Sequence, residues 1–339
     1  MRLKREFVSR TGYKPHNFTS INRCEKIPFL DFEQIETYSE GKSLEIFDPR
    51  SNRMVGHYFN PRIEALVRNV IVEPKQGLIY TKEGKLISES TNWSTSNLYE
   101  SFPWNPKRVN HVAPTNLSIN LTSSAFGHWL VEDVASSLYL IEKHPEALIL
   151  VSKKRSRFIT ELLEFLGREY IESDGPIRVP NLLTVTHQND SGWMHPRDLQ
   201  VLEKFKMRIP GETTYGKRIY ASRRSLKRSP SNEKEIESLF RDLGFEVLQL
   251  ENMDLLSEIN LMKGVQDLAG VSGSWQFNII WADKAQSMFD IVNENYWTEL
   301  AHRVCGMKNV NYNWKLYEGE FNRPVNYGSL KHDLLKIYS

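Results

Sequence analysis

Residues 126–139 read FGHWLVEDVASSLY. A histidine four residues before a glutamate, with an aspartate directly after it, is a set able to take a proton and to orient the group that takes it. A helix beginning near Gly127, at ~100° per residue, brings His128, Glu132, Ser136 and Tyr139 within roughly 80° of arc. Asp133 lies well round from His128, nearer Ser137. Leu130, Val134, Leu138 and Ile141 gather on another side and form the expected core stripe. Two readings fit the residues alone. Either Glu132 (or its neighbour Asp133) is a base oriented by His128, or both acids complement the dipole of a helix's first turns and His128 is a capping residue.

A second chemical cluster is KRIYASRRSLKR, residues 217–228, with six basic residues in twelve around an apolar core, Ile219 to Ala221. Arg223 and Arg224 emerge at the C-terminal end of this strand, the edge at which open α/β sheets bind ligands. Guanidinium groups suit bidentate phosphate recognition. A nucleotide or sugar phosphate, a solvated charge run and nucleic acid are the alternatives; the shortness of the patch weighs against the last. The third cluster, AGVSGSWQFNII at 269–280, reads as a strand end, a small-residue turn and a helix start. Backbone N–H groups near Ser274 form an anion site there, and Gly273 permits close approach. The turn lacks both the G-x-G-x-x-G and the G-x-x-x-x-G-K-[ST] patterns, which weakens dinucleotide oxidoreductase and P-loop NTPase readings. Asp290, closing the next strand, is either a ribose ligand or a surface acid. No D-x-D occurs, so the usual carboxylates of a metal-bridged diphosphate are missing. The charge of a bound diphosphate would fall to arginines and helix dipoles, with no metal.

These clusters need elements to hold them. Residues 1 to 45 lack a clean period and read as an irregular lead-in. From about 54 to 90, MVGHYF, RNVIVEP, GLIYT and GKLISES read as strands joined by turns. ALILVSKK is a buried strand, SRFITELLEFLG a helix, IRVPNLLTV a strand and HPRDLQVLEKFKMRI a helix. After a linker-like run, MRIPGETTYGK at 207–217, the βα rhythm restarts with KRIYASRR, NEKEIESLFRDLG, FEVLQLEN, DLLSEINLMKG, VQDLAGVSG, SWQFNIIWAD and AQSMFDIVN. Such alternation predicts parallel sheets covered by helices. Two units joined by a linker predict a cleft.

Bulk properties bound the function. A chain of 339 residues is long enough for two domains. Its 44 basic and 42 acidic residues leave a net charge of +2, so no global field draws it to nucleic acid or anionic lipid. Cys24 and Cys305 are far apart and have no metal-binding spacing, which suits a reducing compartment. The basic start MRLKREFVSRTGYKPHNF precedes no apolar run of signal-peptide type. No window approaches a membrane span of roughly 20 residues. The sequons at Asn17, Asn92, Asn116 and Asn120 matter only in a secretory lumen. A cytoplasmic protein is expected.

The ordered series GHWLVED, RIYASRRSLKRSPSNE and GFEVLQLENMDLLSEINLMKGVQDLAGVSGSWQFN resembles glycosyltransferase family 61 over residues 120–295. That family includes bacterial capsular-polysaccharide biosynthesis proteins and eukaryotic xylosyl- and N-acetylglucosaminyltransferases. The resemblance implies an α/β, GT-B-like fold: two Rossmann-like domains facing a cleft, here with a β-rich lead-in on the first. Residues 1–209 would be the acceptor side and 210–339 the nucleotide-sugar side, the last helix being a candidate to pack back on the first domain. It further implies inversion at the anomeric carbon without a catalytic metal, a UDP-linked donor, and an oligo- or polysaccharide acceptor at a peripheral assembly complex. The family's H-W-L-x-D/E pattern falls on His128, Trp129, Leu130 and Glu132, with the acid as base. Its strand-end arginine falls on Arg223, followed by Arg228, Asn232 and Glu233. Its glycine-rich turn falls on Gly270, Ser272, Gly273, Ser274 and Asn278, and its next acid on Asp290. Ser272 stands where the family has histidine, and Asp290 where glutamate is usual. The competing expectations are a catalytically inactive scaffold and a glycoside hydrolase. The hydrolase would need a second carboxylate across the sugar.

Overall fold

In the computed structural model, residues 26–27, 33–48, 53–87, 109, 111–113, 117–122, 125–186, 194–211, 217–224, 226–296 and 300–338 are described. The first half begins with strands β1 (Lys26–Ile27) and β2 (Glu33–Ser39), then a separate hairpin of β3 (Lys42–Asp48) and β4 (Arg53–Phe59). It continues with β5 (Arg62–Glu73), β6 (Leu78–Thr81), β7 (Leu86–Ile87), β8 (Ser118–Asn120), β9 (Leu148–Ser152), β10 (Tyr170–Ser173) and β11 (Ile177–Val185). Outside the hairpin these form a nine-stranded sheet of order β1-β7-β6-β5-β11-β8-β9-β10, with β2 also paired to β5. Strand β5 pairs antiparallel with β2, β6 and β11, as β6 does with β7, whereas β1 runs parallel to β7 and β11, β8, β9 and β10 run parallel to one another.

Helical pieces cover the parallel side: α1 (Phe126–His128), a π turn (Trp129–Asp133), α2 (Val134–Lys143), α3 (Arg157–Leu166) and α4 (Pro196–Met207). Helix α3 buries Ile159, Leu162 and Leu163 on one face and stops at Gly167, whose φ of 61° is the left-handed cap that glycine adopts without strain. Helix α4 starts in a capping box: the His195 ring accepts from Arg197 N–H while Asp198 accepts from His195 N–H. Asp198 also receives two hydrogen bonds from Arg62, at 2.7 and 2.8 Å, and one from Tyr38. This buried ion pair, in which Nη1 of Arg62 reaches both carboxylate oxygens, fastens the lead-in strands to the helical layer.

The second half carries β12 (Arg218–Ala221), α5 (Glu233–Asp242), β13 (Glu246–Leu248), α6 (Leu255–Lys263), β14 (Asp267–Val271), a 3₁₀ helix (Ser274–Trp281), β15 (Ser287–Asn293), α7 (Leu300–Met307), β16 (Asn311–Tyr317) and α8 (Tyr327–Tyr338). All strand pairs are parallel, in the order β13-β12-β14-β15-β16. Numbered from its first strand the sheet reads 2-1-3-4-5, so the winding reverses between β12 and β14. Strands β14 and β15 are buried throughout, as a sheet covered on both faces requires.

One continuous apolar core joins the halves, running from Ile119, Trp129 and Leu202 to Ile219, Leu268 and Ile279. A second core, on the far face of the β12–β16 sheet, contains Tyr220, Phe240, Phe289, Leu334 and Tyr338. Here the structure corrects two expectations. The last helix, α8, packs against α5 in the second half, and α7 makes the contact with the lead-in, where Gly306 lies against Ile46. Strands β1 and β2 and the start of β3 also lie inside the first 45 residues, which were expected to be irregular. SWQFNIIW winds as a 3₁₀ helix, and β10, β16 and α7 are additional to the expected elements. Residues 212–216 of the linker, the basic N-terminus, Cys24 and the sequons at Asn17, Asn92 and Asn116 lie outside the described residues. No described helix is long and apolar enough to cross a membrane.

Candidate active site

The helix that follows β8 is interrupted soon after it begins. At the π turn the N–H of Val134 reaches back five residues to the carbonyl of Trp129. His128 and Glu132 still meet, with Nδ1 and Oε1 3.0 Å apart. The Glu132 side chain is 5% exposed and that of His128 28%. Burial works against a charged His128 ring, but the Glu132 hydrogen bond and the charges of Glu132 and Asp133 outweigh it and raise its pKa above the ordinary value. The extra residue of the π turn rotates everything downstream. Ser136 consequently leaves the His128 face and lines a hollow of about 30 Å³ with Asp133, Ser137, Asn120 and Thr122. Tyr139 is drawn to Glu36 and Glu64, at 2.5 and 3.0 Å. Of the four residues expected on one face, His128 and Glu132 remain together. Asp133 lines the small hollow with Ser136 and Ser137.

Across from this helix lies the reversal point of the second sheet. Arg223, just beyond β12, donates its backbone N–H to Glu233 Oε1 at 3.0 Å, and Tyr220 donates to the same oxygen. Its guanidinium lies over Gly273, where any Cβ would overlap Nη1. Gly273 is in fully extended backbone, so glycine is needed there for space. Ser274 opens the 3₁₀ helix directly after it. Ser272 donates to Asp290 Oδ1 and Tyr312 to Oδ2, both at 2.7 Å. Burial pushes Asp290 up to about 6 against the pull of these donors. Each Asp290 oxygen thus has a protein donor, and the buried carboxylate supports Ser272 beneath the turn.

Arg224 departs from expectation as well. Its guanidinium turns to the buried Glu237 of α5, with Nε–Oε1 at 3.1 Å, and Ser222 donates to that carboxylate at 2.6 Å. Adjacent residues leaving an extended strand point to opposite sides, so Arg223 goes to the reversal point and Arg224 to the helix. Arg228 is half-buried on the turn before α5, and its charge is felt with that of Arg223 at Tyr317. Asn278 is fully buried and donates to Glu258 Oε1 at 2.5 Å.

A cleft of about 560 Å³ opens between the halves. Phe126, Arg157 and Phe158 supply one wall; Arg223, Leu250, Met253, Glu258, Ser274 and Trp275 supply much of the other. His128 and Glu132 are not in these walls. They sit further along the helix, past Gly127, where a Cβ would stand 2.7 Å from Phe277 and 3.4 Å from Ser274 Oγ. The start of the helix bearing the His–Glu pair therefore touches the turn at Ser274. Arg157 donates to the carbonyls of Glu251 and Met253, and Glu161 accepts from Leu255 N–H at 2.7 Å, so α3 is tied to the start of α6. A larger hollow of about 750 Å³ is lined by Arg218, Asp267, Ser287 and Asn311, the first residues of four strands. That is the opposite edge of the sheet. Ligands of doubly wound sheets bind beyond the carboxyl ends, at the reversal of strand order, and the smaller cleft meets both conditions.

Glu258 was missed in the sequence, because an acid in a helix's first turn reads as a complement to the dipole. Burial raises its carboxyl to about 8; Asn278 and Arg157 lower it, and the charges of Glu251 and Glu161 raise it further. The consequence for stability has a definite sign. Below about pH 4.5 the group is neutral in both folded and unfolded chains. Between about pH 4.5 and 8 the unfolded chain ionises first, and stability falls by up to ~1.4 kcal/mol per pH unit. Glu258→Gln keeps an acceptor for Asn278 and cannot ionise. Its melting temperature should exceed that of the parent by a margin that grows from pH 5 to pH 8. Parallel melting curves across that range would contradict the raised value.

Among the described residues, no group of three or more His, Cys, Asp or Glu side chains is placed to hold a metal ion. The sequence model of the family Glycosyltransferase 61 matches residues 126–289, a span that holds both the His128–Glu132 pair and the turn around Gly273. No curated protein matches the chain. The family match supports a glycosyltransferase, with a sugar donor and an acceptor as its partners.

Proposed function

We propose that the chain is an inverting glycosyltransferase of GT-B architecture that moves a hexosyl or pentosyl group from a nucleotide sugar to a glycan. The observation that carries this is that the helix holding His128 against Glu132 begins, at Gly127, against Ser274 and Phe277, directly after the Gly273 that Arg223 crosses at the strand-order reversal. In this reading residues 1–209 hold the acceptor and 210–339 the donor. Glu132 takes the proton of an acceptor hydroxyl as that oxygen bonds to the anomeric carbon, while the bond from that carbon to the phosphate oxygen breaks. His128 orients the carboxylate. The departing diphosphate gathers negative charge, which Arg223 and the N–H groups at Ser274 are set to meet; such preorganised donors usually supply the largest share of catalysis. Metal-independent chemistry agrees with a sequence lacking D-x-D, and the donor is taken to be UDP-linked. Capsular or cell-surface polysaccharide in the cytoplasm is the context suggested by the bacterial members of the family.

A panel of UDP-, GDP- and CMP-sugars in a thermal-shift assay tests the donor site. A ligand bound only by the folded chain stabilises it by about 2.7 kcal/mol at a hundred times its Kd. One nucleotide class should raise the melting temperature, and turnover with an oligosaccharide acceptor should follow for that class. Stabilisation without turnover would favour an inactive scaffold. No response to any of them would remove the donor site altogether.

A further inference from the structure

We infer that Glu258 is a ligand-binding residue of the cleft, a carboxyl that hydrogen-bonds the nucleoside end of the donor while Arg223 and the Ser274 turn hold its phosphates. The inference rests on the donor-site reading above and adds to it a residue that no sequence pattern indicated. Three observations place it. Glu258 lines the cleft although its residue is only 8% exposed. Its Oε1 is fixed by Asn278, itself fully buried, at 2.5 Å, which leaves Oε2 for the cleft. Beside it the wall turns apolar, with Leu250, Met253 and Leu255, a surface suited to a base and not to a diphosphate.

An anion here would face the phosphates unfavourably; a neutral carboxyl would not. The surroundings keep it neutral. Burial dominates, Glu251 and Glu161 add negative charge, and Arg157, the opposing cation, already serves two backbone carbonyls. With Oε1 held by Asn278, a neutral carboxyl offers the cleft the O–H donor of Oε2, which suits a carbonyl on the edge of a base such as uracil or guanine. Ionisation deletes the donor. Nucleotide affinity should therefore fall as pH rises through about 8, the value to which burial raises this group.

Calorimetric titration of UDP, GDP and inorganic pyrophosphate, from pH 6.5 to 9.5, tests this on the full chain and on Glu258→Gln and Glu258→Ala. For the nucleotide that binds, affinity of the parent should drop at least tenfold more than that of Glu258→Gln across this range. Glu258→Ala should bind at least tenfold more weakly than Glu258→Gln at pH 6.5. Pyrophosphate should show no difference between parent and Glu258→Gln. Parallel pH profiles for the nucleotide would make Glu258 a structural partner of Asn278 only and overturn the inference. An equal pH effect on pyrophosphate would assign the carboxyl to the phosphates and overturn it too. Failure of the parent to bind any of the three at any pH would instead bring down the underlying donor-site reading, and this inference with it.

Discussion

Glu132→Gln should lower sugar transfer at least a hundredfold and leave nucleotide affinity within about twofold, the low end of what a positioned general base supplies. The glutamine keeps the shape of the side chain and an oxygen for His128 Nδ1, which lies 3.0 Å from the carboxylate in the parent. It removes only the capacity to accept a proton. Turnover measured beside Kd for the donor separates this from a folding defect, since the donor site belongs to the other half of the chain. Asp133→Asn makes the matching comparison. Asp133 is 3% exposed and faces a hollow of about 30 Å³ shared with Ser136 and Ser137, too small for a sugar. Its substitution should therefore alter melting temperature more than rate. Near-parent turnover in Glu132→Gln, with Asp133→Asn inactive, would move the base by one residue and contradict the geometry.

How far the site was legible depended on the range of the forces that place each group. The core stripe of Leu130, Val134, Leu138 and Ile141 and the i, i+4 meeting of His128 with Glu132 are local, and the period of a helix conveys them. Ser136 and Tyr139 were misplaced because a π turn has no compositional mark; it is selected by what the helix packs against. Arg223 and Arg224 are alike in composition. Their separation became visible only once β12 had a direction and Glu237 a position. Asp290 reads as a strand-end ligand until Ser272 and Tyr312, 18 and 22 residues away in the chain, claim both of its oxygens. Glu258 shows the same limit from the other side. Nothing near it in sequence reveals that Asn278 and the cleft wall enclose it. The βα rhythm was clear, but the 2-1-3-4-5 order that locates the ligand edge is a property of pairings between distant strands.

Arg223→Ala should weaken nucleotide binding and slow turnover together, by roughly 10²- to 10³-fold in rate, the scale on which a single preorganised donor to a developing oxyanion acts. The stronger test is Gly273→Ala. Its backbone is extended, so alanine brings no dihedral strain; its methyl group enters the space of the Arg223 guanidinium. The two substitutions should therefore remove the same interaction. Each alone should cost most of the effect, and Gly273→Ala introduced into Arg223→Ala should add less than threefold. Strong non-additivity of this kind is the signature of groups acting through one contact. Arg224→Ala serves as the control, because its guanidinium is held by Glu237 on α5. It should lower melting temperature and leave nucleotide affinity within about twofold. If Arg223→Ala and Gly273→Ala instead act independently, or if Arg224→Ala is the variant that loses the nucleotide, the phosphate site does not lie at the reversal of β12 and β14. The helix carrying Glu132 would then touch the wrong turn.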